Sequence, residues 1–253
     1  MENASKALVM AAAVIIAVLL LALVFVFFDD MAGYFSERHD VTMTQQTMQF
    51  NSVFENYSGK TIRGNELISI MNRVINYNNY ESAMVGYDKV LITINLKNHQ
   101  RDLKGIDDTP RPPIFASEIK NNGANGDEEL SKISAWTGEI LSSPLGQELG
   151  LTEKKLQQLT NRLTDILEFD TYDSNTKAYV TQKINDILNL NYTVAEINPK
   201  IHNIEDIVCK YNQISNFKKA KFKCINVEYN QENRRVNKID FEVVLKDGKI
   251  QLD

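Results

Sequence analysis

The residues that could do acid–base, metal or nucleophilic chemistry are few, and their spacing gathers none of them. The three histidines, His39, His99 and His202, are isolated from one another, with no HExxH or similar zinc spacing. They read as structural or surface residues. Asp165, Glu168, Asp170 and Asp173 form an acidic run, but a calcium loop also needs a central glycine and a terminal glutamate. Both are missing, so the run reads as a solvated linker. Gly123-Ala124-Asn125-Gly126 lacks the lysine and preceding strand of a phosphate loop, and no GxSxG elbow is present. Asn56-Tyr57-Ser58 and Asn191-Tyr192-Thr193 match the glycosylation sequon, a tripeptide that recurs by chance in an Asn-rich chain. The expectation is a non-enzymatic protein with no catalytic, cofactor-binding or metal-binding residues.

Two cysteines remain, Cys209 and Cys224, and neither has a neighbouring histidine that would mark a thiol nucleophile. If the chain beyond residue 28 is extracytoplasmic, a disulfide between them is permitted. It would close a loop of about 15 residues, for which the chain-entropy model gives about 3 kcal/mol. Two buried thiols that never meet fit the same sequence, and both readings stay open.

What positions the chain is clearer than what it does. From Ala7 to Phe28 there is no charge, proline, glycine or polar side chain. A helix of 22 residues is about 33 Å long, enough for the roughly 30 Å hydrocarbon core of a bilayer. The run ends in Phe27-Phe28-Asp29-Asp30 with no small-x-small cleavage site, so a permanent single-pass signal anchor is expected. Lys6 and a six-residue flank keep the N-terminus cytoplasmic, which puts the rest outside the cell membrane. Ala11, Ala12, Ala13, Ala17 and Ala22 either permit close helix packing, and with it a homo-oligomer or filament, or face membrane lipid. The balance of 28 Lys+Arg against 33 Asp+Glu, net −5, argues against nucleic acid as a partner.

The remaining sequence predicts an α+β fold: an N-terminal transmembrane helix, then a small antiparallel sheet with helices and an inserted helical layer. Residues 1–28 are the anchor and 29–58 a helical continuation, broken near Gly33 and stopped at Gly59. Residues 59–96 and 221–253 form an α+β head. Leu67, Ile68, Met71, Val74 and Ile75 mark its helix; Val90, Ile92, Ile94 and Leu96 alternate as a strand. Phe222–Tyr229 and Val236–Leu245 are further strands, and Asp247-Gly248 is a hairpin turn. Residues 97–220 are a long loop followed by amphipathic helices. These carry Leu130, Ile133, Thr137 and Ile140; Leu156, Leu159, Leu163 and Ile166 after the N-cap Thr152; Val180, Ile184 and Leu188; and a short one with Ile204, Ile207, Val208, Tyr211 and Ile214.

Met1-Glu2-Asn3-Ala4-Ser5-Lys6-Ala7-Leu8 and Phe50-Asn51-Ser52-Val53-Phe54-Glu55-Asn56-Tyr57-Ser58-Gly59 resemble the corresponding parts of a group of uncharacterised single-pass, signal-anchored proteins of low-GC Gram-positive bacteria. The late hairpin, Phe222-Lys223-Cys224 with Arg235-Val236-Asn237-Lys238-Ile239, is similar too. The layout also resembles type IV pilins and pseudopilins, although no glycine precedes the apolar helix and Glu2 lies outside it. The resemblance implies a pilin-like structural or assembly subunit at the cell surface and carries no catalytic residues. A monomeric, membrane-tethered module that binds a ligand or partner is the other reading.

Overall fold

The computed structural model describes residues 2–81, 87–105, 111–122 and 126–252, and divides into two compact units, 1–52 and 53–253. Helix α1 (Glu2–Glu55) is unbroken over its 54 residues and contains the whole described part of the first unit. Gly33 does not interrupt it, since one glycine costs a long helix only about 1 kcal/mol. Every large apolar side chain from Leu8 to Phe28 is at least 46% exposed. The stretch Ser5–Tyr34 is long and apolar enough to cross a bilayer, a candidate transmembrane or signal-anchor helix.

The second unit is α+β. Its chain begins with the end of α1, where Phe54 is buried and Tyr57 and Ser58 donate to the Phe54 and Glu55 carbonyls. Gly59 then turns the chain at a φ of 69°, as its position predicts. Strand β1 (Thr61–Arg63) leads directly into α2 (Gly64–Asn76), which buries Leu67, Ile70, Met71, Val74 and Ile75 along one face. Strands β2 (Leu91–Asn95), β3 (Glu118–Lys120), β4 (Lys221–Tyr229) and β5 (Val236–Val243) complete a five-stranded sheet of order β1-β4-β5-β2-β3. A short hairpin of β6 (Leu245–Lys246) and β7 (Lys249–Ile250) follows, turned by Asp247 and Gly248, both at positive φ.

The sheet is mixed rather than purely antiparallel: β2 runs parallel to β5, with Ile92 beside Ile239 and Ile94 beside Phe241. Alternation reveals which face a residue takes but not the direction of its strand. Parallel neighbours need a crossover connection, and the helical segment after β2 provides it. Side chains of Ile92, Ile94, Phe222, Cys224, Ile239, Phe241 and Val243 are all buried.

That segment holds α3 (Gly126–Ser142), α4 (Pro144–Glu148), α5 (Glu153–Thr160), α6 (Leu163–Leu167), α7 (Ser174–Leu188), α8 (Val194–Ile197) and α9 (Ile201–Lys219). The single helix expected after Thr152 is two, because the chain turns at Asn161 and Arg162 between α5 and α6. Helix α9 is 19 residues long, not short, and is the axis of the unit. It packs on α2 and α3 and also on α5 and α6. Leu156, Leu163, Ile166, Phe169, Ile184 and Val208 belong to the core that these helices share. Burial of each such side chain contributes about 1.5–3 kcal/mol.

The expected loop after β2 is strapped to α9 by side chains spaced one turn apart. Asn212 donates to the Lys104 carbonyl (2.7 Å) and Asn216 to the Leu103 carbonyl (2.9 Å). Gln213 accepts from the Ile114 amide at 2.9 Å. Further down the helix, Arg111 Nε donates to Glu205 Oε1 at 3.1 Å. All four α9 residues are buried, so each polar side chain satisfies a loop group that folding takes from water.

Candidate functional site

An apolar concavity lies on the second unit. Helix α3 supplies Trp136 and Ile140, α4 supplies Leu145, α9 supplies Ile207 and Ile214, and the strapped loop adds Ile114; together they line a groove of about 680 Å³. Such a volume and apolar lining are typical of ligand sites. Ile140 and Ile214 are buried and form its floor, while Trp136, Leu145 and Ile207 are half-buried.

Local rules hold each wall in place. Ser143 caps α4 by accepting the Gly146 amide at 3.0 Å, and its hydroxyl donates to the Ile140 carbonyl at 2.7 Å. A Cβ on Gly146 would collide with that same carbonyl, so the close approach of α4 to the end of α3 requires glycine there. Behind Trp136, Phe115 meets the indole edge-on with centroids 5.2 Å apart and stacks on Phe217 at 4.6 Å. Phe217 in turn touches Phe222 of β4, at 5.1 Å between centroids. The groove is therefore anchored through aromatic rings to the sheet.

Charges sit on the rim. Lys210 pairs with Asp206 at 2.8 Å, one helical turn away, and Arg111 reaches Asp206 at 3.8 Å. Glu139 is exposed, lines the groove, and makes no ion pair among the described residues.

Next to the groove, His202 lies between two carboxylates, 3.2 Å from Asp170 Oδ2 and 3.4 Å from Glu205 Oε2. Both of its recorded partners are acids rather than a hydroxyl or thiol, so this is an ion-pair cluster and not a nucleophile–base pair. The bond to Glu205 is the main influence raising the Arg111 guanidinium above its ordinary pKa. Of the other candidates, His99 bonds Asp102 at 3.1 Å, and Asp102 in turn accepts the Ile250 amide at 3.0 Å, tying the last hairpin down. Asp173 caps α7 by accepting the Thr176 amide, and Glu168 accepts the Tyr172 hydroxyl. The His39 side chain and residues 123–125 lie outside the described residues. Among the described residues no group of three or more His, Cys, Asp or Glu side chains could hold a metal.

Cys209 and Cys224 are free and buried. Cys209 faces the helical core from the middle of α9, and Cys224 sits on β4. The two thiols belong to different elements, the helix and the strand that follows it, and are not joined. Burial pushes the Cys209 thiol up to about 11. Ala11, Ala12, Ala13, Ala17 and Ala22 are exposed along α1.

Helical periodicity predicts the buried stripe of α3, with Ile140, but does not find the groove. Its walls come from three segments, 114, 136–145 and 203–214, whose meeting has no local signal. The Asp206–Lys210 spacing and the His202–Glu205 spacing are the pairs that would have pointed to this end of α9. No family model, curated protein or solved structure matches this chain.

Proposed function

We propose that this chain is a single-pass membrane protein, pilin-like in plan, whose unit 53–253 serves outside the cell as a structural or assembly subunit at the cell surface. One observation carries the reading: among the described residues, the large apolar side chains of α1 are exposed from Leu8 to Phe28. An apolar surface of that length needs lipid or neighbouring copies of the same helix as its environment. Lys6, the cationic side chain just before the apolar run, supports a cytoplasmic location for that end of the helix. The alanines at 11, 12, 13, 17 and 22 leave room for helices to approach closely.

A second reading, a monomeric tethered module that binds a partner, is favoured by the groove beside Trp136. Mechanical shearing of intact cells separates the two. Recovery of the protein in sheared, sedimentable material supports the filament. Retention in membranes with release only by detergent removes the filament and leaves the tethered module. Release in soluble form without either treatment overturns anchoring itself.

A further inference from the structure

We infer that the groove between α3 and α9 receives a peptide segment of a partner protein, one carrying a lysine or arginine flanked by large aliphatic side chains. The inference rests on the binding-module reading of the groove and is independent of anchoring through α1.

The apolar part follows from the lining. Trp136, Ile140, Leu145, Ile207 and Ile214 present a continuous aliphatic and aromatic surface between two helices, and the site is open to solvent along its length rather than closed over. Grooves walled by helices accept rows of side chains from a bound segment. Trp136 is half-buried with Phe115 behind it, so its ring is held in place before anything binds. A fixed aromatic ring at the centre of a contact loses little entropy on binding.

The positive charge follows from electrostatics at the rim. Glu139 has no cation of its own among the described residues. It stands in the last turn of α3, a helix of 17 residues with no basic residue in that turn. No basic side chain in that turn offsets the Glu139 carboxylate. Lys210, the one lysine lining the groove among the described residues, is held by Asp206 at 2.8 Å. Lys218 bonds Thr137 Oγ1 at 3.4 Å, further back along α3, and does not line the groove. A ligand cation beside Glu139 pairs with the carboxylate; a ligand anion there meets its repulsion.

The chain contains a single tryptophan, so the fluorescence of Trp136 reports this groove alone. The test is a titration of the full chain in dodecyl maltoside micelles with three blocked hexapeptides. They combine leucine with lysine, with glutamate, or with norleucine in place of the charge. Saturable change with the lysine peptide, weaker response to norleucine and none to glutamate is the expected result. Glu139→Gln lowers affinity for the lysine peptide about three- to fivefold, the scale of an exposed ion pair, and leaves the norleucine peptide unchanged. Ile207→Asp or Leu145→Asp, both at half-buried positions, abolishes saturation with the circular dichroism spectrum retained. Equal binding of the lysine and glutamate peptides overturns the inference. So does saturation by hexylamine with no response to any peptide, or a Trp136 shift that depends only on protein concentration and marks a second copy in the groove. Shearing reports on α1 and this titration on the groove, so either reading can fail alone.

Discussion

Asn78 and Val90 bond to each other twice: the carboxamide oxygen of Asn78 accepts the Val90 amide at 2.8 Å, and its nitrogen donates to the Val90 carbonyl at 3.0 Å. The side chain thus plays the part of a neighbouring strand at the start of β2. Asn121 does the same one step further on, accepting the Ile92 amide at 2.7 Å and donating to the Val90 carbonyl at 3.1 Å. Both carboxamides also donate to Asp127 Oδ1 in the first turn of α3, at 3.0 and 2.9 Å. One carboxylate therefore ties the short helical turn after α2, the end of β3 and the start of α3 to the start of β2.

Replacing Asn78 by leucine keeps its volume and removes this pairing. Val90 is fully buried, so its amide is left without a partner and away from water. The expected cost is about 2–3 kcal/mol. A urea titration of the full chain in detergent, followed through Trp136, should show a lower midpoint with an unchanged slope. A midpoint within about 0.5 kcal/mol of wild type would mean that the pairing is dispensable.

Gly64 gives a second, steric prediction. A Cβ there would run into the Phe217 carbonyl at the end of α9, a backbone group with no freedom to move aside. Gly64 also donates to the Ala220 carbonyl at 2.8 Å, which fixes the approach of α2 to the α9–β4 corner. Gly64→Ala should destabilise by more than about 2 kcal/mol even though alanine is the better helix former. A gain in stability would show that the corner can open.

How much of this was legible in the sequence depends on distance along the chain. The 3.6-residue stripe of α2 appears in the structure with Ile70 buried and Ile68 only half-buried, and the alternation of β2 and β5 appears at the residues that predict it. So does the Thr152 cap, which accepts the Lys155 amide. Strands β1 and β3 have three residues each, too few to show a period of two, and only pairing with β4 and β2 makes them strands. The loop after β2 reads as irregular because its order comes from Asn212 and Asn216, more than a hundred residues later. The groove is illegible for the same reason, while the apolar half of α1 is legible because its signal is entirely local.

The exposed carboxylates give a pH prediction with a definite sign. The Thr176 amide holds Asp173 below its ordinary pKa, the Thr193 amide does so for Glu196 in a capping box, and Lys238 does so for Glu228. A depressed folded pKa means that the unfolded chain binds protons first as pH falls. Stability from these groups is therefore complete at neutral pH and drains away below about pH 4.5. Asp173→Asn keeps a capping acceptor but no titration. Its urea midpoint should fall less than that of wild type between pH 5 and pH 3, and parallel curves would remove the cap from the acid response.

The strap between Arg111 and Glu205 should be asymmetric to mutation. The Glu205 side chain is only 8% exposed and Arg111 is 35% exposed. Arg111→Met leaves the buried carboxylate with His202 as its remaining partner and should cost about 1–3 kcal/mol, at the low end because water reaches the arginine side. Glu205→Gln retains an acceptor for Arg111 Nε and should cost under about 1 kcal/mol. Equal losses from the two would mean that the carboxylate finds water when the arginine is gone.

The two thiols offer the last test, and it separates burial from pairing. At pH 8 a thiol raised to about 11 is thiolate at a level of roughly one part in a thousand, and Cys224 is shifted upward by burial as well. In the folded chain, neither cysteine should react appreciably with iodoacetamide. In urea without reductant, both should react. If unfolding releases no thiols until reductant is added, Cys209 and Cys224 are joined rather than free. If both react in the folded state as fast as a free thiol, the α9 core is open around Cys209, and the strap that Glu205, Asn212 and Asn216 build on the same helix cannot be holding its loop closed.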